Sequence, residues 1–183
     1  FSAARAAVVL EDLLGDGAPH PCGSAANHAV RDRLVAHLTG LGYAPRVAPR
    51  ETMCASASEC CDVENITAVV PGVQADAYVA LVAHYDSVEE GPGAGDDGAG
   101  VAAVLEIARA LTTRPKPQRS ILLLFTDGEE MGLLGAKAFV KRDPRLGQVV
   151  AVLNLEARGT SGPSIMFETT PGNDALVAAF AGS

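Results

Sequence analysis

The sequence is short of basic residues and has no long apolar run. Its 14 lysines and arginines stand against 22 aspartates and glutamates, which gives a formal net charge of -8. That balance argues against a surface for nucleic acid or for an anionic membrane, because both need a basic face. No apolar run reaches the roughly 18 residues that span a bilayer. We therefore expect neither a nucleic-acid partner nor membrane contact from this segment.

The four cysteines lack the spacing of a zinc finger. Cys54, Cys60 and Cys61 lie in one short segment with no histidine pair after them, and Cys22 lies far upstream. A disulfide from Cys54 to Cys60 or to Cys61 would suit an exported protein, and free thiols in a loop are the alternative. The sequence leaves this choice open because spacing does not determine connectivity.

Length and composition are those of a folded domain. The chain has 183 residues, of which 48% are hydrophobic and 20% charged, so it is neither disordered nor fibrous in composition. The last residues of the chain lie within a predicted helix. We therefore expect 1–183 to be a single, truncated domain that lacks its C-terminal part.

Apolar segments alternate between helical and extended patterns along the chain. Helices are predicted at 2–14, 24–41, 99–111, 132–141 and 173–181. Strands are predicted at 43–49, 64–70, 77–84, 121–125, 149–155 and 164–168. The alternation predicts an α/β fold, with a mixed and centrally parallel sheet sandwiched between helices. The early strands, joined by short links, are expected to form an antiparallel edge.

Polar residues follow the apolar strands at the points where they end. The relevant segments are His84-Tyr85-Asp86, Asp96-Asp97, Asp127-Gly128-Glu129-Glu130 and Asn154-Leu155-Glu156. The carboxyl ends of strands line the ligand crevice of open α/β sheets, so these side chains are expected to converge. So many carboxylates would repel one another unless a cation lay among them.

The residue types narrow the identity of that cation. One imidazole with several carboxylates and no thiolate suits Zn²⁺, Mn²⁺ or Co²⁺. The spacing of His84 and Asp86 places both on one face of an extended segment, so Asp86 is expected to accept the second ring N–H of His84. Glu129 and Glu130 point in different directions, so one can bind metal while the other acts as a general base.

Each motif alone has an ordinary explanation. A glutamate pair is typical of a solvated helix start, and an aspartate pair is typical of a turn or a helix cap. The segment 93–98 also matches the G-x-G-x-x-G pattern of dinucleotide-binding folds. That interpretation is disfavoured, because about nine residues separate it from the strand end and its aspartates would face a pyrophosphate. The case for a metal site rests on all the motifs occurring in order.

Taken together, the motifs resemble the zinc aminopeptidases of peptidase family M28. The segments that carry the resemblance are His84-Tyr85-Asp86-Ser87, 92–100, 125–135 and Asn154-Leu155-Glu156. The family also holds glutaminyl cyclases, glutamate carboxypeptidases and the non-catalytic transferrin receptor. The segment 154–159 resembles the vacuolar and endoplasmic-reticulum membrane members, in which the glutamate corresponding to Glu156 occurs. Much of the family has aspartate there.

The resemblance implies a site with two zinc ions, for which Mn²⁺ or Co²⁺ could substitute. In that site His84 binds one zinc, Asp96 bridges both, Glu130 binds the other, and Glu156 completes the first. Asp86 orients His84, and Glu129 is the general base. The last ligand of the family is a downstream histidine, and no histidine follows Glu156 here. The 183-residue chain alone is therefore expected to be inactive or nearly so.

The function expected from the resemblance is that of a metal-dependent exopeptidase, an aminopeptidase acting on peptides. A metal-bridging water activated by Glu129 would attack the scissile carbonyl. The alternatives are a glutaminyl cyclase or carboxypeptidase of the same family, or a non-catalytic interaction domain like that of the transferrin receptor. Retention of the acid cluster argues against the last. The expected location is secreted, periplasmic or membrane-anchored, facing an exported or luminal compartment.

Overall fold

A computed structural model of the chain describes residues 1–157 and 165–182. The helices are α1 (Ala3–Leu14), α2 (Ala25–Gly40), α3 (Ala99–Leu111), α4 (Leu134–Arg142) and α5 (Asp174–Ala181). The strands are β1 (Arg46–Val47), β2 (Glu51–Cys54), β3 (Cys60–Val63), β4 (Ile66–Val70), β5 (Gln74–His84), β6 (Arg119–Thr126) and β7 (Val149–Asn154).

The main sheet is mixed, and its centre is parallel. Its strand order is β1-β4-β6-β5-β7, with β5 parallel to both β6 and β7. On the other side, β4 is antiparallel to β6 and β1 is antiparallel to β4. This arrangement confirms the predicted fold class and the antiparallel edge. Because β5 and β7 run parallel, their carboxyl ends lie at the same edge of the sheet.

Helices cover both faces of the sheet. The Ser24 hydroxyl caps α2 by accepting the Asn27 N–H at 3.0 Å, which satisfies one of the free amides of the first turn. The apolar faces of α1, α2 and α3 pack with one side of the sheet in the largest core cluster. Phe139 of α4 packs with Leu122 and Leu124 of β6 on the other side. The strands at the centre are therefore apolar on both faces.

Two predicted elements differ from the structure, and one element was not predicted. The expected strand 43–49 is reduced to β1, because Pro45 and Pro49 bracket it and cannot donate to a ladder. Within the predicted strand 164–168, residue 164 lies outside the described residues and 165–168 form no strand. The apolar side chains of 165–167, whose pattern predicted a strand, are exposed and pair with no strand in the described part of the chain. The unpredicted element is the β2–β3 hairpin, which pairs apart from the main sheet.

Both disulfides involve this hairpin. Cys54 is bonded to Cys60 across the end of the hairpin, which is one of the two pairings left open by the sequence. Cys61 is bonded to Cys22, 39 residues away, and that pairing was not foreseen. No helix in 1–157 or 165–182 is long and apolar enough to cross a membrane.

Candidate metal centre

The candidate site is built around the buried ring of His84, at the carboxyl end of β5. The His84 backbone N–H donates to Asp97 Oδ2 at 3.3 Å. Ring atom Nδ1 lies 3.1 Å from the Asp86 carbonyl oxygen and 3.4 Å from Asp86 Oδ1. With Nδ1 turned toward Asp86, Nε2 is left facing the acidic residues. This is the arrangement that fixes the orientation of a metal-binding histidine.

Acidic side chains from three segments surround His84 Nε2. The ring atom lies 2.9 Å from Asp96 Oδ1, 3.6 Å from Glu156 Oε1 and 3.9 Å from Glu129 Oε2. Two triads have potential ligand atoms that all lie within 4.8 Å of one another. These triads are His84 with Asp96 and Glu156, and His84 with Glu129 and Glu130. The structure thus brings Asp96 and Glu156 to His84 in one group, and Glu130 with the predicted general base Glu129 to His84 in the other.

Asp96 is presented by a wide turn rather than by a regular helix start. The turn spans Ala94–Gly98, and the Gly98 N–H closes it by donating to the Gly93 carbonyl oxygen at 2.8 Å. Asp96 has φ -122° and ψ 96°, which is not helical, and the peptide bond between Asp96 and Asp97 is cis. A dinucleotide-binding fingerprint needs a tight strand-to-helix turn with its amides facing a phosphate. The geometry here presents carboxylates instead.

Asp86 links the segment of His84 to the segment that carries Glu129 and Glu130. Its buried carboxylate accepts the backbone N–H of Glu129 at 2.9 Å and that of Glu130 at 3.2 Å. The sequence predicted a contact between Asp86 and His84 but not these two bonds. They join residues 43 and 44 positions apart in the chain. Sequence spacing predicts contacts only between residues that are close in the sequence, so it could not predict these bonds.

Glu156 reaches the cluster because β7 pairs with β5. The ladder continues past the end of β7, where the Leu155 N–H donates to the Val82 carbonyl oxygen at 2.9 Å. The next residue, Glu156, receives a hydrogen bond from Asn154 Nδ2 at 3.3 Å. Sheet pairing therefore sets the position of this carboxylate relative to His84.

The charges of the cluster are unbalanced in the absence of a cation. Burial disfavours the imidazolium, but the hydrogen bond and charge of Asp86, with the charges of Asp97 and Glu129, raise the pKa of His84 to about 10. Burial raises the pKa of the Asp97 carboxyl to about 8. Burial also raises the pKa of Glu129 and of Glu130, and the neighbouring carboxylates add to that rise. A divalent cation would remove this repulsion.

The residues present fit a zinc ion. An imidazole nitrogen and carboxylate oxygens converge, and no thiolate is near them, which is a donor set that zinc accepts. The ring nitrogen of His84 that faces away from the cluster lies beside the Asp86 carboxylate, an arrangement common for metal-binding histidines. Several carboxylates surround a single histidine, so the site carries excess negative charge. A divalent cation compensates that charge better than a single proton would.

A second buried carboxylate, which was not among the predicted site residues, supports the Glu129 segment. Asp127 accepts the Glu64 N–H and the Asn27 side-chain amide, both at 3.1 Å. Its own N–H donates to Asn65 Oδ1 at 3.1 Å. Burial raises the pKa of Asp127 to about 6. Its position in the acidic motif was visible in the sequence, but its burial was not.

A family model shows what this arrangement is similar to. The model for "Peptidase family M28" matches residues 65–182. The match includes every candidate ligand and the candidate base.

Curated relatives match over a short part of their length. Mouse endoplasmic reticulum metallopeptidase 1 is 36% identical over 122 residues, which is 64% of this chain and 14% of that protein. The vacuolar membrane protease of Verticillium alfalfae is 45% identical over 93 residues, which is 50% of this chain and 9% of that protein. The chain therefore spans a small fraction of the relatives that it matches.

Solved structures match over more of the fold. A glutaminyl cyclase from Porphyromonas gingivalis has a TM-score of 0.82 at 27% identity, covering 100% of this chain and 71% of that one. A Zn-dependent exopeptidase from Parabacteroides distasonis has a TM-score of 0.74 at 23% identity, covering 86% of this chain and 62% of that one. The second match, at its low identity, bears on the fold alone.

Proposed function

The chain belongs to peptidase family M28, and from that premise we propose that it is a zinc-dependent exopeptidase that removes N-terminal residues from peptides. The observation that carries the proposal is the pair of triads that share His84, one with Asp96 and Glu156 and the other with Glu129 and Glu130. An imidazole whose Nδ1 faces Asp86 and whose Nε2 is surrounded by carboxylates from three segments suits a hydrolytic metal centre. A module that only binds proteins has no need of such a cluster.

Three residues would hold the first metal ion. These are His84, Asp96 and Glu156, whose potential ligand atoms lie within 4.8 Å of one another. Glu130 would help to hold a second ion, and the family resemblance assigns Asp96 to that ion as well. Zinc, when bound, supplies a Lewis acid that polarises the scissile carbonyl and lowers the pKa of a water molecule.

Glu129 is proposed as the group that moves the proton. Its carboxylate faces His84 from the opposite segment and is partly open to solvent, so a water molecule and a peptide can reach it. Burial raises its pKa, which brings a carboxylate closer to the range in which it can both accept and return a proton. Glu129 would take the proton of the attacking water and deliver it to the leaving amine.

Asp86 would hold His84 and the segment with Glu129 and Glu130 in fixed positions relative to each other. It faces Nδ1 of His84 and accepts the N–H groups of Glu129 and Glu130. The imidazole that binds metal and the carboxylate that moves the proton are therefore held by a single side chain. Pre-organisation of this kind lowers the cost of orienting the reacting groups.

Glutaminyl cyclisation is the second candidate, because the Porphyromonas gingivalis cyclase matches the whole chain. In that reaction the α-amine of an N-terminal glutamine attacks its own side-chain amide carbon. A carbon–nitrogen bond forms, another breaks, and ammonia leaves. Glu129 could take the proton of the amine and return it to the leaving ammonia, so the same residues serve both reactions.

The proposed location is an exported or luminal compartment. The relatives named above are an endoplasmic reticulum and a vacuolar membrane protein. Two disulfides accord with such a compartment, because disulfides persist where the environment is oxidising.

The test compares two substrates and two variants of the full-length protein loaded with zinc. We expect hydrolysis of aminoacyl-nitroanilides to exceed ammonia release from glutaminyl peptides. Glu129→Gln should keep its zinc and lose about 10²–10⁴-fold in turnover. Glu89→Gln, the same change at an exposed position, is the control and should keep its turnover.

Three outcomes would count against the proposal. Ammonia release without nitroanilide hydrolysis would assign the cyclase reaction instead. Zinc bound without either activity would reject both reactions. Full turnover of Glu129→Gln would remove Glu129 as the base.

A further inference from the structure

The Cys22–Cys61 disulfide packs against the backbone directly before Glu129. Gly128 has φ +64°, and a Cβ built on it would lie 3.1 Å from Cys61 Sγ and 3.3 Å from Cys22 Sγ. Both distances are tighter than ordinary van der Waals contact. Val63 Cγ1 would lie equally close, at 3.2 Å, so a methyl group here would require these neighbours to give by a few tenths of an ångström. The disulfide therefore crowds the backbone at Gly128 and limits its movement in that direction.

The same N-terminal segment contacts the other half of the site. The His20 N–H donates to Ser87 Oγ at 2.8 Å, and the Ser87 N–H donates to the His20 carbonyl oxygen at 3.3 Å. Both residues are buried. Ser87 directly follows Asp86, whose carboxylate accepts the N–H groups of Glu129 and Glu130. Residues 20–22 thus contact the segments on both sides of the candidate metal centre.

The segment 127–133, which carries Glu129 and Glu130, is neither helix nor strand, and turn hydrogen bonds such as Gly132 N–H to the Glu129 carbonyl oxygen at 2.8 Å supplement its contacts with other segments. Three of its residues have positive φ: Gly128 at 64°, Gly132 at 100° and Leu133 at 61°. The left-handed conformation of Leu133 is uncommon for a residue with a Cβ, and it persists only where the surroundings hold it.

We propose that the Cys22–Cys61 disulfide is a positioning element that holds Glu129 and Glu130 on the Asp86 carboxylate. The inference rests on the proposed function only in that it names these two glutamates as site residues. In this inference the disulfide is not itself a ligand or a catalytic group. It acts by fixing Gly128, and through Gly128 it fixes the two amides that follow.

The second disulfide provides a matched control. Cys54 and Cys60 are exposed at the end of the hairpin, and their separation is 6 residues. The hairpin does approach segment 127–133, but a Cβ built on Gly132 meets Ala55 Cβ, at 3.6 Å, and neither sulfur. Removing this bond should therefore alter the hairpin without releasing Gly128.

The first experiment compares Cys22→Ala/Cys61→Ala with Cys54→Ala/Cys60→Ala in the full-length protein. Hydrogen exchange of segment 127–133 is measured without metal, under conditions in which every variant is folded. Removing the Cys22–Cys61 bond should speed exchange at the Glu129 and Glu130 amides about tenfold or more. It should also weaken zinc binding, measured by chelator competition, by about 10–100-fold. The Cys54–Cys60 variant should match the parent in both.

A second experiment keeps both disulfides and does not depend on whether the cysteine variants fold. Gly128→Ala and Gly132→Ala both place a methyl group at positive φ in the same segment. Backbone strain alone predicts that Gly132→Ala is worse, because φ +100° lies further from the left-handed helical region than +64°. Contact with the disulfide sulfurs, and with Val63 Cγ1 beside them, predicts the reverse, and we expect Gly128→Ala to lose at least tenfold more zinc affinity.

The outcomes separate this inference from the proposed function. Parent-like exchange and zinc affinity in Cys22→Ala/Cys61→Ala would overturn the inference, as would a greater loss in Gly132→Ala than in Gly128→Ala. A parent protein that binds zinc but hydrolyses nothing would overturn the proposed function and leave the exchange result standing. When hydrolysis is present, the disulfide variant should lose kcat with little change in KM.

Discussion

Replacing Asp86 with alanine tests whether one carboxylate holds the candidate site together. The variant removes the acceptor of the Glu129 and Glu130 amides, at 2.9 and 3.2 Å, and the neighbour of His84 Nδ1. A hydrogen bond to a charged group contributes about 1.5–3 kcal/mol. Two such bonds give about 3–6 kcal/mol, and release of the carboxylate from its buried position offsets part of that loss. We expect a net loss of about 3 kcal/mol in the free energy of unfolding.

Chemical unfolding of the metal-free protein, followed by circular dichroism, measures this loss. Asp86→Asn keeps one acceptor oxygen and should lie between the parent and the alanine variant. Asp76→Ala removes an exposed carboxylate and should change the free energy of unfolding by less than about 0.5 kcal/mol. Zinc affinity should fall about 10–100-fold in Asp86→Ala, because the carboxylate beside His84 Nδ1 and the acceptor of the Glu129 and Glu130 amides are both removed, although the Asp86 carbonyl oxygen stays near Nδ1. A free energy of unfolding and a zinc affinity within error of the parent would refute the reasoning.

Two further predictions concern parts of the fold away from His84. Arg109, and less strongly Arg5, hold the pKa of the Glu106 carboxyl at about 2, against the opposing effect of burial. A lowered carboxyl pKa adds to the free energy of unfolding above about pH 4.5, and this contribution is lost as pH falls toward 2. The free energy of unfolding of Glu106→Gln should therefore fall less steeply across that pH window than that of the parent protein. Gly135→Ala should cost about 1–3 kcal/mol in thermal or chemical unfolding, because its methyl would overlap the Asp127 backbone. Gly147→Ala has open space and should be neutral; equal effects would contradict the packing argument.

The centre of the fold could be predicted from the sequence because its signals are local. The segments 78–83 and 121–125 are apolar throughout, as strands covered on both faces must be, and they became parallel neighbours β5 and β6. The β2–β3 hairpin could not be predicted in the same way. Its short strands carry cysteine and charged residues, its burial is partial, and it lies outside the main sheet.

The candidate site, like the fold, could be predicted only in part. Polar residues that follow the apolar strands were expected to converge, and His84, Asp96 and Glu156 do so. The bonds from Asp86 to the Glu129 and Glu130 amides leave no trace in sequence spacing, since they depend on how two distant loops meet. The Cys22–Cys61 pairing was missed for the same reason.

The most direct test of the account is the location of bound zinc in a crystal of the full-length protein, by anomalous scattering at the zinc edge. The account predicts an anomalous peak between His84 Nε2, Asp96 and Glu156, and its loss in Asp96→Ala. Zinc that bound elsewhere, for instance at the surface pair of His37 and Asp12, while the His84 cluster stayed empty at saturating zinc, would contradict it.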